Sequence, residues 1–143
     1  MTMPQPLTPQ LDAAQLNAFL ARAFAGKAEN LATVLAVAPG TAQLRLTPMP
    51  EHLRPGGIVS GPTLMALSDT AAYAVILAHI GEVPMAVTSS LTYQFLRACH
   101  PLPVTADATL IKLGRRLAVT DIRLWTDDAA RPVGQATVTY AIP

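Results

Sequence analysis

Apolar and polar positions follow three different rhythms along this chain. In residues 8–31, Leu11, Leu16, Phe19, Leu20 and Phe24 recur at helical spacing, with Thr8 and Asp12 available as caps and Gly26 near the end. This predicts an amphipathic first helix over about residues 10–27. Two short apolar-rich runs, residues 32–37 and 42–46, are joined by Pro39-Gly40 and read as a strand pair around a turn. Residues 48–57 hold Pro50, Pro55, Gly56 and Gly57, a loop composition. The loop leads into Ser60-Gly61-Pro62, where proline suits the first turn of a helix because its missing N–H would have no intrahelical partner there. Residues 62–80 are then almost continuously apolar. After Gly81 the period falls to two: Val87, Ser89, Leu91, Tyr93 and Phe95 alternate with Thr88, Ser90, Thr92, Gln94 and Leu96. Residues 104–111, 117–125 and 133–142 repeat that behaviour, separated by turn signals at 101–103, 112–116 and 127–132.

The 62–80 run has about the length of a membrane span, ~20 residues. Asp69 stands near its middle, flanked by Ser68 and Thr70, and a carboxylate at bilayer depth is costly. The run is therefore read as a helix of a water-soluble domain, and a helix that is apolar all round must be wrapped by other elements. The strands that follow supply the wrapping. The expectation is a single α+β domain over residues 1–143, an antiparallel β-sheet of five or six strands wrapped around a long central α-helix. Short connections imply that strands adjacent in sequence pair antiparallel.

With 51% hydrophobic and 13% charged residues and a formal net charge of +1, the chain lacks the composition of a disordered charged tail and offers no generic footprint for nucleic acid. Any anion it binds must be held by a few placed cations. The single cysteine, Cys99, excludes an internal disulfide framework and a cysteine-based metal cluster, so a cytoplasmic location is expected. Residues 1–10 carry Pro4, Pro6 and Pro9 without the basic start and apolar core of a signal peptide, and read as a loose lead-in.

Few residues carry candidate chemistry. Asp69 is a lone carboxylate in the most apolar segment, which makes it either a structural group paired with Arg54 or local hydroxyls, or a reactive one. Gly61 heads the helix, where a main-chain N–H lacks an intrahelical partner and sits at the positive end of the dipole. Thr88 is either a strand former or a hydroxyl that orients water or a carboxylate. Ser60 is not set in a Gly-x-Ser-x-Gly elbow, and His52, His79 and His100 have no metal-ligand spacing, the last two reading as surface or interface residues. Lys112, Arg115 and Arg116 concentrate positive charge in a turn of a chain otherwise poor in it, as either a solvated hairpin tip or a phosphate contact. Cys99, without an adjacent base, reads equally as a small packed side chain.

The order of elements resembles a hotdog-fold acyl-CoA thioesterase of the PaaI-like type. The resemblance covers about residues 30–143. Its carriers are the run from Gly57 through Ser60-Gly61-Pro62 to Asp69, the strand beginning Ala86-Val87-Thr88 and the turn Lys112-Leu113-Gly114-Arg115-Arg116. It implies hydrolysis of acyl-CoA thioesters without metal or organic cofactor. It implies Gly61 as the first glycine of a His-Gly-Gly sequence, Asp69 as the catalytic acid and Thr88 as the hydroxyl near the attacking water. Arg54, Ser60, Lys112, Arg115 and Arg116 become candidate substrate contacts, and active sites are implied at the interface of a homodimer or homotetramer. This chain departs from the pattern with Ser60 for the histidine, Pro62 for the second glycine and Arg54 where many members carry asparagine. The expected substrate is a medium-chain or aromatic acyl-CoA, in a pocket lined by residues such as Met65, Tyr73 and Phe95. Two alternatives stand beside it: a non-catalytic acyl-CoA or aromatic-ligand binding protein, favoured by the Ser60 and Pro62 departures, and a hotdog hydratase or dehydratase, which would need a histidine facing the acyl chain.

Overall fold

The computed structural model of the chain describes residues 7–26 and 32–143. The apolar run forms one helix, α2 (Gly61–Ile80), started by Ser60 and stopped by Gly81, whose φ of 91° is closed to most side chains. Its residues from Ala71 to Ala78 are all buried, with Val75, Ile76 and Leu77 fully so, each worth about 1.5–3 kcal/mol of transfer free energy for its larger side chains. What buries them is a six-stranded, wholly antiparallel sheet made of β1 (Thr33–Ala38), β2 (Thr41–Leu46), β5 (Val87–Phe95), β6 (Val104–Leu113), β7 (Leu117–Trp125) and β8 (Gly134–Ala141). Every second residue of β6, β7 and β8 turns inward; Ala106, Ala108, Ile122, Leu124, Ala136 and Val138 are fully or almost fully buried against the helix. This is the hotdog architecture expected from the sequence. The one helix long and apolar enough to cross a membrane among the described residues is thus mostly buried inside its own domain.

The first helix, α1 (Ala13–Ala23), is capped by Asp12 with Gln15 in a reciprocal capping box and buries Leu16, Phe19 and Leu20. Its Asn17 side chain exchanges two hydrogen bonds with the Val34 backbone, occupying part of the free edge of β1. The helix is shorter than the expected 10–27, and residue 27 lies outside the described residues, as do 1–6 of the lead-in.

Three local expectations need correction. The order across the sheet is β1-β2-β6-β7-β8-β5, so β5 pairs with β8 rather than with its sequence neighbour β6, and becomes an edge. Residues 96–103 carry the chain over to β6, a segment too long for a hairpin turn. The 48–57 loop is also more ordered than its composition suggests: a 3-10 turn (Pro50–His52) precedes a minimal ribbon of β3 (Leu53–Arg54) and β4 (Ile58–Val59). Finally, the alternation in β5 breaks. Thr88 opposes Tyr140 while Leu91 opposes Val138, so three steps on β5 match two on β8, and the register slips between Thr88 and Ser90. Simple alternation would set Thr88 on the face opposite Leu91 and Tyr93; the bulge turns it inward with them, towards α2.

Candidate active site

Asp69 lies midway along α2, half-buried, and forms no ion pair among the described residues. Its carboxylate oxygen Oδ1 accepts from Thr88 Oγ1 at 2.6 Å and from the Tyr140 hydroxyl at 2.8 Å. Both donors reach it because Thr88 and Tyr140 are opposite one another in the β5–β8 ladder, on the face that packs against α2. The structural alternative of an Asp69–Arg54 pair is not realised: Arg54 Nε donates to the Pro55 carbonyl at 3.2 Å. Asp69, Thr88 and Tyr140 line a cavity of ≈ 340 Å³ whose other walls include Phe24, Ala66, Tyr73, Pro84 and Val87. Tyr73 and Phe24 meet edge-on there, with ring centroids 6.4 Å apart. Burial, the largest effect, pushes the Tyr140 phenol above its ordinary range; the hydrogen bond with Thr88 opposes it, the Asp69 charge adds a smaller rise, and the phenol stays a proton donor.

Gly61 belongs to a second cavity, of ≈ 570 Å³, shared with Arg54, Ile58, Pro62, Phe95, Leu96 and Arg97. The Phe95 ring closes on the glycine, 3.2 Å from where a Cβ would stand, so a side chain at Gly61 would have to displace it. Pro62 has no N–H, and Ser60 Oγ accepts from Thr63 N–H at 3.3 Å while bonded to Thr63 Oγ1 at 2.7 Å. Ser60 is therefore committed to capping. His52 does not activate it, because His52 Nδ1 accepts from Met49 N–H at 2.9 Å. The N–H of Gly61 is left as the helix-head donor best suited to an oxyanion. The structure thus brings Asp69 together with Thr88, and Arg54 and Ser60 together with Gly61, but separates the two groups by eight residues of helix, about 12 Å along its axis.

Lys112, Arg115 and Arg116 are exposed, and none forms an ion pair among the described residues. Lys112 belongs to β6, which runs two residues beyond its expected end with a slip between Leu110 and Lys112. The turn sits at the Thr88 end of the sheet: Leu117 opposes Ala141, which opposes Val87. Of the expected pocket residues, Tyr73 lines the Asp69 cavity and Phe95 the Gly61 cavity, while Met65 is 39% exposed and lines neither. His79 is not at the surface as expected. It is buried, accepting from Gly40 N–H at Nε2 (2.9 Å) and bonded through Nδ1 to the Val75 carbonyl (2.8 Å), which the Pro39-Gly40 turn makes possible by presenting its amide to the helix end. His100 is exposed, as expected. Cys99 is buried, and desolvation pushes its thiol up to about 11. Tyr140 and Phe24 escaped the sequence reading: a tyrosine in an alternating strand and a phenylalanine on a helical stripe look like ordinary core residues.

Comparison with known proteins gives a consistent picture. The family model described as thioesterase superfamily matches residues 56–133. The chain is 38% identical to a candidate thioesterase of a Silicibacter species, over 97% of this chain and 96% of that one, with a TM-score of 0.87. It is 25% identical to a mutant of the phenylacetic acid degradation protein PaaI of Thermus thermophilus, over 82% and 97% of the two chains, with a TM-score of 0.71. The zebrafish thioesterase superfamily member 2 shares the fold, with a TM-score of 0.81 at 20% identity over 94% of this chain and all of that one. No curated protein matches.

Proposed function

We propose that this chain, which belongs to the thioesterase superfamily and is a thioester hydrolase, cleaves a medium-chain or aromatic acyl-CoA to the free acid and CoA, using Asp69 as its reacting acid. The observation that carries this reading is the state of the Asp69 carboxylate. It borders a cavity walled in part by Phe24, Ala66, Pro84 and Val87, has no ion-pair partner among the described residues, and has one oxygen held by two neutral donors. Two hydroxyl donors leave the charge un-neutralised and occupy one oxygen only, so the second oxygen has no side-chain donor among the described residues and can meet a substrate.

In hydrolysis, oxygen adds to the thioester carbon, charge develops on the carbonyl oxygen, and the C–S bond then breaks with the thiolate taking up a proton. Asp69 serves either by removing a proton from the attacking water or by adding directly to give a mixed anhydride that water opens. Thr88 holds the carboxylate in either route. The Gly61 N–H stabilises the oxyanion. Because one carbonyl does not span ~12 Å of helix, the Gly61 that meets a given thioester comes from a second copy of the chain. Phe24 and Tyr73 offer aromatic surface for the acyl group, and the 340 Å³ cavity accommodates a single ring or a chain of modest length. Lys112, Arg115 and Arg116 lie at the same end of the sheet, where they would meet CoA phosphates, with Arg54 near the oxyanion donor. No histidine precedes His79 on α2, and His79 is spent on Gly40 and Val75, which weighs against a hydratase.

The experiment is a panel of short, medium, long and aromatic acyl-CoAs assayed for released thiol, with ligand binding measured in parallel. Turnover greatest for medium or aromatic acyl groups is expected. Tight binding without thiol release would overturn hydrolysis, and preference for long saturated chains would overturn the substrate class.

A further inference from the structure

Tyr140 is fixed by packing and by its hydroxyl. It is 4% exposed, and its ring stacks on Tyr73 at 5.8 Å and 28°. Tyr73 is itself fixed by its hydroxyl, which donates to the Pro84 carbonyl at 3.1 Å, and by Phe19 at 6.2 Å. The phenol has two acceptors, both on Asp69: the nearer is Oδ1 at 2.8 Å, the other the main-chain carbonyl at 3.2 Å. Thr88 directs its own proton to the same oxygen. Rotation of the carboxylate would break both bonds together, whereas Oδ2 accepts from no side chain among the described residues and is free for water or thioester.

We propose that Tyr140 is a positioning residue for the reaction, which, together with Thr88, locks Asp69 by Oδ1 so that Oδ2 is the oxygen that reacts. This rests on the reading of Asp69 as the reacting acid. Burial keeps the phenol protonated, so the lock does not open in the range where a carboxylate titrates. Among the described residues, the titratable groups that line the Asp69 cavity besides Asp69 are Tyr73 of α2 and Tyr140 of β8, and burial raises both; Thr88 of β5 does not titrate there.

The test is Tyr140→Phe, which keeps the ring and its stacking and removes only the hydroxyl. The full chain is assayed on its best acyl-CoA, with Asp69→Asn alongside and thermal melts of each variant. The expected result is a kcat lower by about ten-fold, a KM within about two-fold of wild type, and an acid limb moved to higher pH, because a donor to the charged form has been lost. Site-specific replacement of Tyr140 by 3-fluorotyrosine, a more acidic phenol and stronger donor, should move the limb the other way, and this decides the matter if the phenylalanine variant does not fold. An inactive Asp69→Asn combined with wild-type kcat and limb in Tyr140→Phe overturns the lock but leaves the role of Asp69 standing. A fall in kcat with an unmoved limb assigns Tyr140 to packing and overturns the lock as well. Full activity in Asp69→Asn overturns both.

Discussion

At the scale of single residues, the Asp69 carboxylate can be separated from its structural surroundings. An asparagine there still presents a carbonyl oxygen to Thr88 and Tyr140, so Asp69→Asn is expected to keep its melting temperature within a few degrees while losing about 10²–10⁴ of the hydrolysis rate. Retained turnover on the best acyl-CoA would remove Asp69 from the mechanism. Cys99 makes the opposite case of a group withdrawn from chemistry. Its thiol is raised from 9.0 to about 11 by burial, so at pH 8 the native protein should resist a thiol reagent that labels the denatured chain at once. The sign for stability follows: the unfolded thiol ionises first, so the contribution is intact below pH 9 and is lost as pH climbs towards 11, and melting temperature should fall over that window less in Cys99→Ala than in wild type. Asp69 was legible in the sequence because a charge in an apolar run demands a partner or a task, although spacing alone left the two equally open. Tyr140 was not, because a strand tyrosine has one, and its meaning depends on which strand lies opposite. His79 was misjudged for the same reason: only the fold reveals that the Gly40 amide waits at the helix end.

At the scale of elements, periodicity carried most of the architecture. The helix of residues 61–80 and the strands after Gly81 stand close to where their apolar spacing set them, because each is decided by local sequence and by the need to bury one face. Pairing is not local. Nothing in residues 87–95 says that they join β8, and nothing marks the bulge that turns Thr88 towards Asp69; both are settled by which register lets Tyr140, Val138 and Ala136 stay buried. The same register gives the basic turn its position. With Leu117, Ala141 and Val87 in one row, Arg115 and Arg116 stand beyond the Thr88 end of the sheet, two strand spacings or ~10 Å across it. A CoA nucleotide spanning that distance would lose contact in the Arg115→Ala/Arg116→Ala double variant. KM for acyl-CoA should then rise about ten-fold with kcat nearly unchanged, and a short thioester lacking the nucleotide should be unaffected. Equal losses on the two substrates would place the turn outside the binding site.

At the scale of the whole molecule, what the single chain leaves uncovered matters most. Along α2, Pro62, Met65, Ala66, Asp69 and Thr70 recur at helical spacing as the stripe that neither sheet nor α1 buries. The neighbouring edge strand β5 has one unpaired side, and Met85, Val87, Phe95 and Leu96 around it are 49–69% exposed. An edge and an apolar stripe of this kind suit a second copy of the same chain. If two α2 helices run antiparallel across a two-fold axis beside Met65, midway between Gly61 and Asp69, the ~12 Å that separates those residues in one chain becomes a near approach between chains. Each dimer then has two sites, each with an acid from one copy and an oxyanion donor from the other. Complementation tests this arrangement: Asp69→Ala and Gly61→Pro, each inactive alone, are unfolded and refolded together. A mixed dimer carries both lesions in one site and none in the other, so random pairing should restore roughly a quarter of wild-type activity. Should the mixture stay inactive while mixed dimers are detected by mass, acid and oxyanion donor do not meet across an interface, and the site must be completed within one chain.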